Sequence, residues 1–452
     1  MHSVRIASGS AFWGDMLEPA VELIEKGDVQ YVGFDHLAEL TMAILNRTKA
    51  KDPKAGYIPD IVPWMQRLLP LARARGVRLV TNAGGANPRQ AALEVGRVAS
   101  SLDIGTLKIG VVEGDDILGK VDALRAQGWK FQNLDTGEDD LGAIRDRLVA
   151  ANAYIGADVI REHLAGGADV VITGRASDNA LYVGPVMHEL GWDYGDVDRV
   201  GAAITVGHII ECAGCVTGGM SNLWKISERP WAMGFPIAEV WQNGDAVIEK
   251  PPGSGGVLDE WTVKEHLIYE VHDPASYLMP DGVADFTALR LAADGPGRVR
   301  VTGMKGKPRP STLKVCFGYR DGFIGEGLAF FPWPDALAKA EWAARWVKER
   351  LAICGVQCRE LRVDLVGVDM LHGELAPRVD RDFNEVGIRV AGRTRTADEA
   401  DAIRREVTHL WNSGPLGSCF GVPLKVRPVV ALWPSLVPRE AVPVTGEILE
   451  VG

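Results

Sequence analysis

Cysteine is scarce: 6 residues among 452 are too few for a disulfide scaffold, so free thiols and a reducing, cytoplasmic setting are expected. No window approaches the roughly 20 apolar residues that cross a bilayer. The amino-terminal residues Met1-His2-Ser3-Val4-Arg5-Ile6 also lack the basic segment, apolar stretch and small-residue cleavage site of a secretory leader. A membrane is therefore not an expected partner. No run of lysine or arginine could neutralise successive phosphates, and 49 basic against 60 acidic residues leave a net charge of -11, which argues against nucleic acid. No segment recurs at a fixed period, and no low-complexity tract interrupts the chain, so a repeat array is not expected. Ser8-Gly9-Ser10-Ala11-Phe12-Trp13-Gly14 spaces its glycines wrongly for the dinucleotide fingerprint and sets a bulky indole where a pyrophosphate would approach. No motif for a bound cofactor is present, and no metal site is expected, because the acidic and imidazole groups lack a motif's spacing.

What the chain does have is length and 46% hydrophobic residues, enough for a large main domain and a smaller one. From Val4 to about Thr173, short Val- and Ile-rich runs alternate with helical apolar patterns, the rhythm of a parallel α/β sheet. Strands are expected at Val4–Ala7, Gln30–Phe34, Arg78–Thr81, Leu107–Val112 and Asp169–Thr173, with helices such as Leu17–Glu25 and Arg89–Leu102; Lys130–Leu134 is an uncertain element. The fold expected is α/β, a layered and mostly parallel sheet with flanking helices, over residues 1–333. A glycine-rich portion about 194–333 carries a hairpin turning at Asp321-Gly322. Residues 334–452 read as a compact α+β domain.

Parallel sheets place ligands beyond the carboxyl ends of their strands. Those ends carry Ser8-Gly9-Ser10, Asp35-His36 with Glu39, Thr81-Asn82 before Gly84-Gly85, Glu113-Gly114-Asp115, and Thr173-Gly174-Arg175 with Asp178. Gly84 and Gly85 permit close backbone approach, Asn87 suits a helix N-cap and Pro88 its first turn, so the loop reads either as an anion cradle or as an ordinary tight turn. Arg175 either clamps a carboxylate or phosphate or ties its own loop to Asp178. His208, Glu211, Cys212 and Cys215 share one helical face, and His208 with Glu211 forms a candidate acid–base pair; small apolar packing is the plainer role for the two thiols. Glu265, Glu270, His272 and Asp273 beside Tyr277 form a second dense group, equally compatible with a solvated face. Lys305-Gly306-Lys307-Pro308-Arg309 either meets the phosphates of a coenzyme A thioester or is a solvated loop, and the turn-rich 412–418 closes a site or an interface.

In chain order, Gly9-Ser10-Ala11-Phe12-Trp13-Gly14-Asp15, Thr81-Asn82-Ala83-Gly84-Gly85, Thr173-Gly174-Arg175, Gly207-His208 through Gly219, Gly234-Phe235-Pro236-Ile237-Ala238-Glu239 and Tyr269-Glu270-Val271-His272-Asp273-Pro274 resemble the acyclic terpene utilisation AtuA family. The resemblance runs along nearly the whole chain and implies a ferredoxin-like carboxyl-terminal domain. It also implies a bacterial catabolic setting in which branched acyclic substrates pass through acyl-coenzyme A intermediates. The segments 174–179 and 212–220 depart from the family pattern, which leaves the substrate open. The resulting expectation is a lyase in which a small carboxylate or thioester is held by Arg175, the Gly84-Gly85 amides and Ser10, with Asp178 beside them. His208 and Glu211 move the proton, and Asp35 and Asn82 orient the substrate. Coenzyme A enters only as part of the substrate, and a homo-oligomer is expected. Two alternatives stay open: a hydrolase or transferase with Cys212 or Ser177 as nucleophile, and a non-catalytic ligand-binding or scaffold subunit working with a partner enzyme.

Overall fold

Val- and Ile-rich runs form strands here because β-branched side chains suit a pleated surface covered on both faces. The computed structural model describes residues 2–377, 382–421 and 424–452. Two compact units result: residues up to Gly318 together with Leu432–Gly452, and Tyr319–Ala431. This partition differs from a single break at 334, because the last strand belongs to the first unit.

In the first unit the strands are β1 (Ser3–Ser10), β2 (Tyr31–Phe34), β3 (Arg78–Thr81), β4 (Leu107–Glu113), β5 (Leu148–Ala153), β6 (Val170–Thr173), β7 (Ile237–Trp241) and β8 (Ala246–Glu249), followed by shorter ones. A ten-stranded mixed sheet runs in the order 290–293, 299–302, β8, β7, β1, β2, β3, β6, β4, 445–451. Its centre, β1-β2-β3-β6-β4, is parallel throughout, and the flanking strands are antiparallel. The five expected strands are therefore present; Lys130–Leu134 is not a strand.

One face of the parallel centre packs Val32, Phe34, Leu79, Ile109 and Ile172 against the helices Glu18–Lys26, Ile61–Arg75 and Pro88–Leu102. The helices Ala180–Glu189 and Val197–Glu211 are buried almost all round, as their nearly uninterrupted small and apolar sequence requires. Gly33 admits the first of them: a Cβ there would stand 2.4 Å from the Tyr182 ring. Among the described residues no helix is long and apolar enough to cross a membrane.

The expected hairpin at Asp321-Gly322 does not form. Thr312–Pro332 is one 21-residue strand that passes straight through this dipeptide. Gly322 has φ +81, yet the Asp321 carboxylate is held by Arg359 and Arg393 at 2.5 and 3.1 Å, so the local irregularity is absorbed without reversing the chain. The second unit then reads strand, helix, strand, strand, helix, strand. Its antiparallel sheet has the order 358–366, 385–394, 312–332, 419–420. Helices Ala336–Ile353 and Ala397–Thr408 cover one face through Ala340, Val347, Ile403 and Val407, packed with Phe331, Ile388 and Val390. Thr396 and Glu399 close a reciprocal capping box at the second helix.

Candidate functional site

Because β2, β3 and β6 are parallel neighbours, the residues that follow them emerge on one edge of the sheet. The Asn82 amide joins the first two loops, with Nδ2 donating to Asp35 Oδ1 at 2.6 Å and Oδ1 accepting from the His36 backbone N–H at 2.8 Å. Ser10, at the end of β1, donates its hydroxyl to the Asp35 carbonyl at 2.9 Å. Arg175 crosses from the third loop, donating through Nη1 to the Leu37 carbonyl at 2.9 Å and pairing with Asp178 at 2.8 Å. Its guanidinium lies 4.1 Å from the centre of the Tyr154 ring. Asn82 and Arg175 thus both bond to the loop at residues 35–37, and Arg175 is only 2% exposed.

The helix Val197–Glu211 delivers the second half. Gly207 lets Asn179 lie against the helix, since a Cβ there would stand 2.8 Å from Asn179 Cβ, and Glu211 follows one turn later on that face. The Ser8 hydroxyl meets the Tyr182 hydroxyl at 2.8 Å and donates to the Glu211 carbonyl at 3.3 Å, fixing the helix end to β1. His208 Nδ1 lies 3.1 Å from Glu211 Oε1 and 3.2 Å from the Tyr277 hydroxyl. Its Nε2 lies 3.1 Å from the Leu267 carbonyl, which can only accept, so the proton sits on Nε2 and Nδ1 is the acceptor. His266 Nε2 donates in turn to the His208 carbonyl at 3.0 Å.

Burial sets the charge states. It pushes the Glu211 carboxyl well above its ordinary range, with the Asp178 and Glu270 charges adding and Arg175 opposing. Asp35 is raised in the same way, by burial first and then by Asp178. Asp178 is also raised by burial, which its Arg175 partner only partly offsets. Burial lowers His208 to about 4. The His208–Glu211 contact is therefore a hydrogen bond between a neutral acid and a neutral imidazole, not an ion pair. Beneath it, burial alone would raise Glu39, but Lys314, the Tyr154 hydroxyl and Arg175 outweigh it and bring the group down to about 2. Asp115 is raised to about 6 by burial, against a 2.7 Å hydrogen bond from Asn152.

Among the described residues, the buried polar atoms of this array without a hydrogen-bond partner include Glu211 Oε2, Asn179 Nδ2 and Arg175 Nε. Leaving such atoms bare costs about 1–3 kcal/mol each. A carboxyl oxygen and two donors are thereby left unpaired. A small cavity adjoins Arg175, lined by Glu39, Asn152, Tyr154 and Cys316.

Other expected groups take different places. Gly85 N–H donates to the Asn82 carbonyl, Ala86 N–H to Gly56 and Asn87 N–H to Gly84, so these amides are not free to cradle an anion. Gly84 and Gly85 serve packing: a Cβ on Gly84 would stand 2.5 Å from the Thr173 carbonyl, and Gly85 has φ +54. Asn87 makes no side-chain cap; its amide donates to the Pro53 and Ala55 carbonyls. Lys305 pairs with Asp198 at 2.7 Å, Lys307 with Asp285 at 3.8 Å and Arg309 with Asp158, which occupies the basic cluster. Ser177 donates its hydroxyl to Asn179 Oδ1 at 3.0 Å. Glu265 accepts from Asn222 and Trp261, away from His208, whereas Tyr277 from the same stretch joins the site.

Sequence reasoning missed Asn152 on β5, Tyr154 directly after it, Tyr182 on a buried helix and Lys314 on the long strand. The signal available for Tyr154 and Asn152 was a run of small residues interrupted by polar ones in Ala150–Tyr154, but β5 pairs with residues far along the chain and only the fold brings it to Arg175. Among the described residues no group of three or more His, Cys, Asp or Glu is placed to hold a metal ion. A family model described as "Acyclic terpene utilisation family protein AtuA" matches residues 4–448. No curated protein and no solved structure matches the chain.

Proposed function

The chain belongs to the acyclic terpene utilisation AtuA family, and from that premise and the buried acid–base array we propose a catabolic lyase acting next to the carbonyl of a small carboxylate or acyl-coenzyme A thioester. The observation that carries the reading is Glu211, whose Oε1 is held by His208 while Oε2 is buried without a partner. A carboxylic acid kept neutral by burial is a proton donor at neutral pH, as general acid chemistry requires. Arg175 Nε and Asn179 Nδ2 supply donors for a carbonyl oxygen that gains negative charge as the reaction proceeds. In elimination of water, the α-proton passes to the bare Glu211 Oε2 while the proton the carboxyl already held leaves with the departing hydroxyl as water, so Glu211 ends neutral; the reverse addition returns both protons. His208 is the residue that positions Glu211 and takes up charge from it, since both of its nitrogens are already engaged. Asp35, oriented by Asn82, is a second neutral acid on the opposite loop. This assigns the proton to Glu211 with His208 behind it, in place of His208 acting directly.

The covalent alternative has less support: Ser177 donates to an amide oxygen and not to a base. We also read the second unit, with its strand-helix-strand-strand-helix-strand order and central placement of the first and third strands, as the ferredoxin-like domain of the family.

The test pairs short branched β-hydroxy and α,β-unsaturated acids, free and as coenzyme A thioesters, with the full chain in heavy water. Mass spectrometry follows deuterium entry at the α-carbon and gain or loss of water. Turnover that falls about 10²-fold or more in Glu211→Gln, with binding retained, supports the assignment. Binding without exchange or turnover in the wild type favours the non-catalytic subunit, and unchanged turnover in Glu211→Gln removes Glu211 from the chemistry.

A further inference from the structure

Directly after Glu211 the helix stops, and the chain turns through Cys212-Ala213-Gly214-Cys215. The Cys215 N–H donates to the Cys212 carbonyl at 3.0 Å, closing a four-residue turn. Such a turn holds its end Cα atoms within about 7 Å, and a disulfide spans Cα separations of about 4.4–6.8 Å. Each thiol is the first influence on the other's acidity, Cys215 pushing the Cys212 thiol up and Cys212 holding the Cys215 thiol down. Both residues are partly exposed, and Cys215 Sγ lies 3.7 Å from the sulfur of Met220, whose side chain is itself exposed. The turn also carries a backbone irregularity: Ala213 has φ +44, a conformation that an alanine adopts only under constraint from its surroundings. The paired thiols are not explained by core packing, since neither is fully buried, and the acid–base array does not use them.

We propose that Cys212 and Cys215 form a redox modification site, a dithiol that reacts with low-molecular-weight disulfides to give an internal Cys212–Cys215 disulfide. Cys215, the sulfur beside the exposed Met220, attacks one sulfur of the incoming disulfide; a mixed disulfide forms and the first small thiolate leaves. Cys212 then attacks the Cys215 sulfur, the internal bond forms and the second small thiolate leaves. The protein loses two electrons and two protons, which reduce one small disulfide to two small thiols. Cys215 leads because it is the thiol beside the exposed Met220, where a small disulfide first arrives. The site does not depend on the lyase reading, and its readout is chemical.

Oxidised glutathione is the probe, applied to the full native chain across a series of glutathione ratios, with intact-mass and peptide mapping after alkylation of the remaining thiols. The expected product has four alkylatable cysteines out of six, lacks two hydrogens, and yields one cross-linked peptide containing Cys212 and Cys215. Dithiothreitol should restore all six. Cys212→Ser is expected to stop at a glutathione adduct on Cys215, and Cys354→Ser to behave as the wild type. An internal bond elsewhere, or glutathione adducts on the exposed Cys354 and Cys419 with Cys212 and Cys215 still free, overturns the proposal. Because the wild-type peptide map decides the matter, a poorly folded variant does not obscure it.

Discussion

Glu211 and Asn82 show how single side chains in this protein trade stability for a prepared site. Glu211 is raised above its ordinary value of 4.5, so the folded chain binds a proton that the unfolded chain releases as pH rises past that value. Its contribution to stability is therefore complete below about pH 4.5 and declines as pH climbs toward the folded-state value. Glutamine reproduces the neutral acid without the titration. Glu211→Gln should accordingly melt higher than the wild type at pH 7, with the difference shrinking to nothing near pH 4; thermal melts of both proteins across pH 4–8 check it. Equal melting temperatures at every pH would mean that Glu211 is not held neutral. The opposite slope belongs to the buried imidazoles of His36 and His208, lowered by burial to about 4 from 6.5, which weaken the fold as pH falls through that interval. Asn82 has no titration to add, but it satisfies both Asp35 and the His36 amide. Asn82→Ala strips two buried hydrogen bonds and should lower stability by about 1–3 kcal/mol, read from urea unfolding, with Asp35 left facing a void.

At the scale of elements, legibility followed how local the information was. The parallel strands are visible in the sequence because runs such as Val170–Thr173 and Leu79–Val80 must be apolar on both faces, a demand made by burial alone. The His208–Glu211 contact was visible because three-residue spacing on a helix is also local. The sequence could not join Tyr277 or Tyr154 to this array, since their partners His208 and Glu39 lie 69 and 115 residues away in the chain. The Gly84-Gly85 loop misled for a different reason: glycine there answers to the Thr173 carbonyl and to Leu45, neighbours that no spacing rule reveals. Asp321-Gly322 misled because this dipeptide favours reversal in isolation, whereas pairing of Phe323–Pro332 with Glu385–Thr394 holds the strand extended. That explanation is testable. A Cβ on Gly322 would stand 2.1 Å from the Thr394 carbonyl, at a φ of +81. Gly322→Ala should therefore cost roughly 1–3 kcal/mol, seen as a lower denaturation midpoint, while a glycine serving only as flexible linker would tolerate the change.

Across the whole molecule, the first unit is completed by the end of the chain. Thr445–Val451 pairs residue for residue with Glu113–Leu107, making the last strand the only cover on that edge of β4 among the described residues. The fit is close on both faces: Val451 lies against Gly96, and the Gly446 position is filled by the His163 ring, whose two nitrogens lie 2.8 Å from the Val159 carbonyl and 3.0 Å from the Glu447 carbonyl. Arg89 adds an ion pair to Glu447. Deleting residues 444–452 would strip β4 of its outer ladder and expose apolar groups on the helix Pro88–Leu102, a loss of at least about 3 kcal/mol if two apolar side chains leave their contacts. An unpaired edge of seven residues also invites pairing with another chain. The shortened protein should melt lower than the full chain and show self-association that grows with concentration in light scattering. A shortened chain that melts as the full chain does would show that the strand decorates the sheet without holding it.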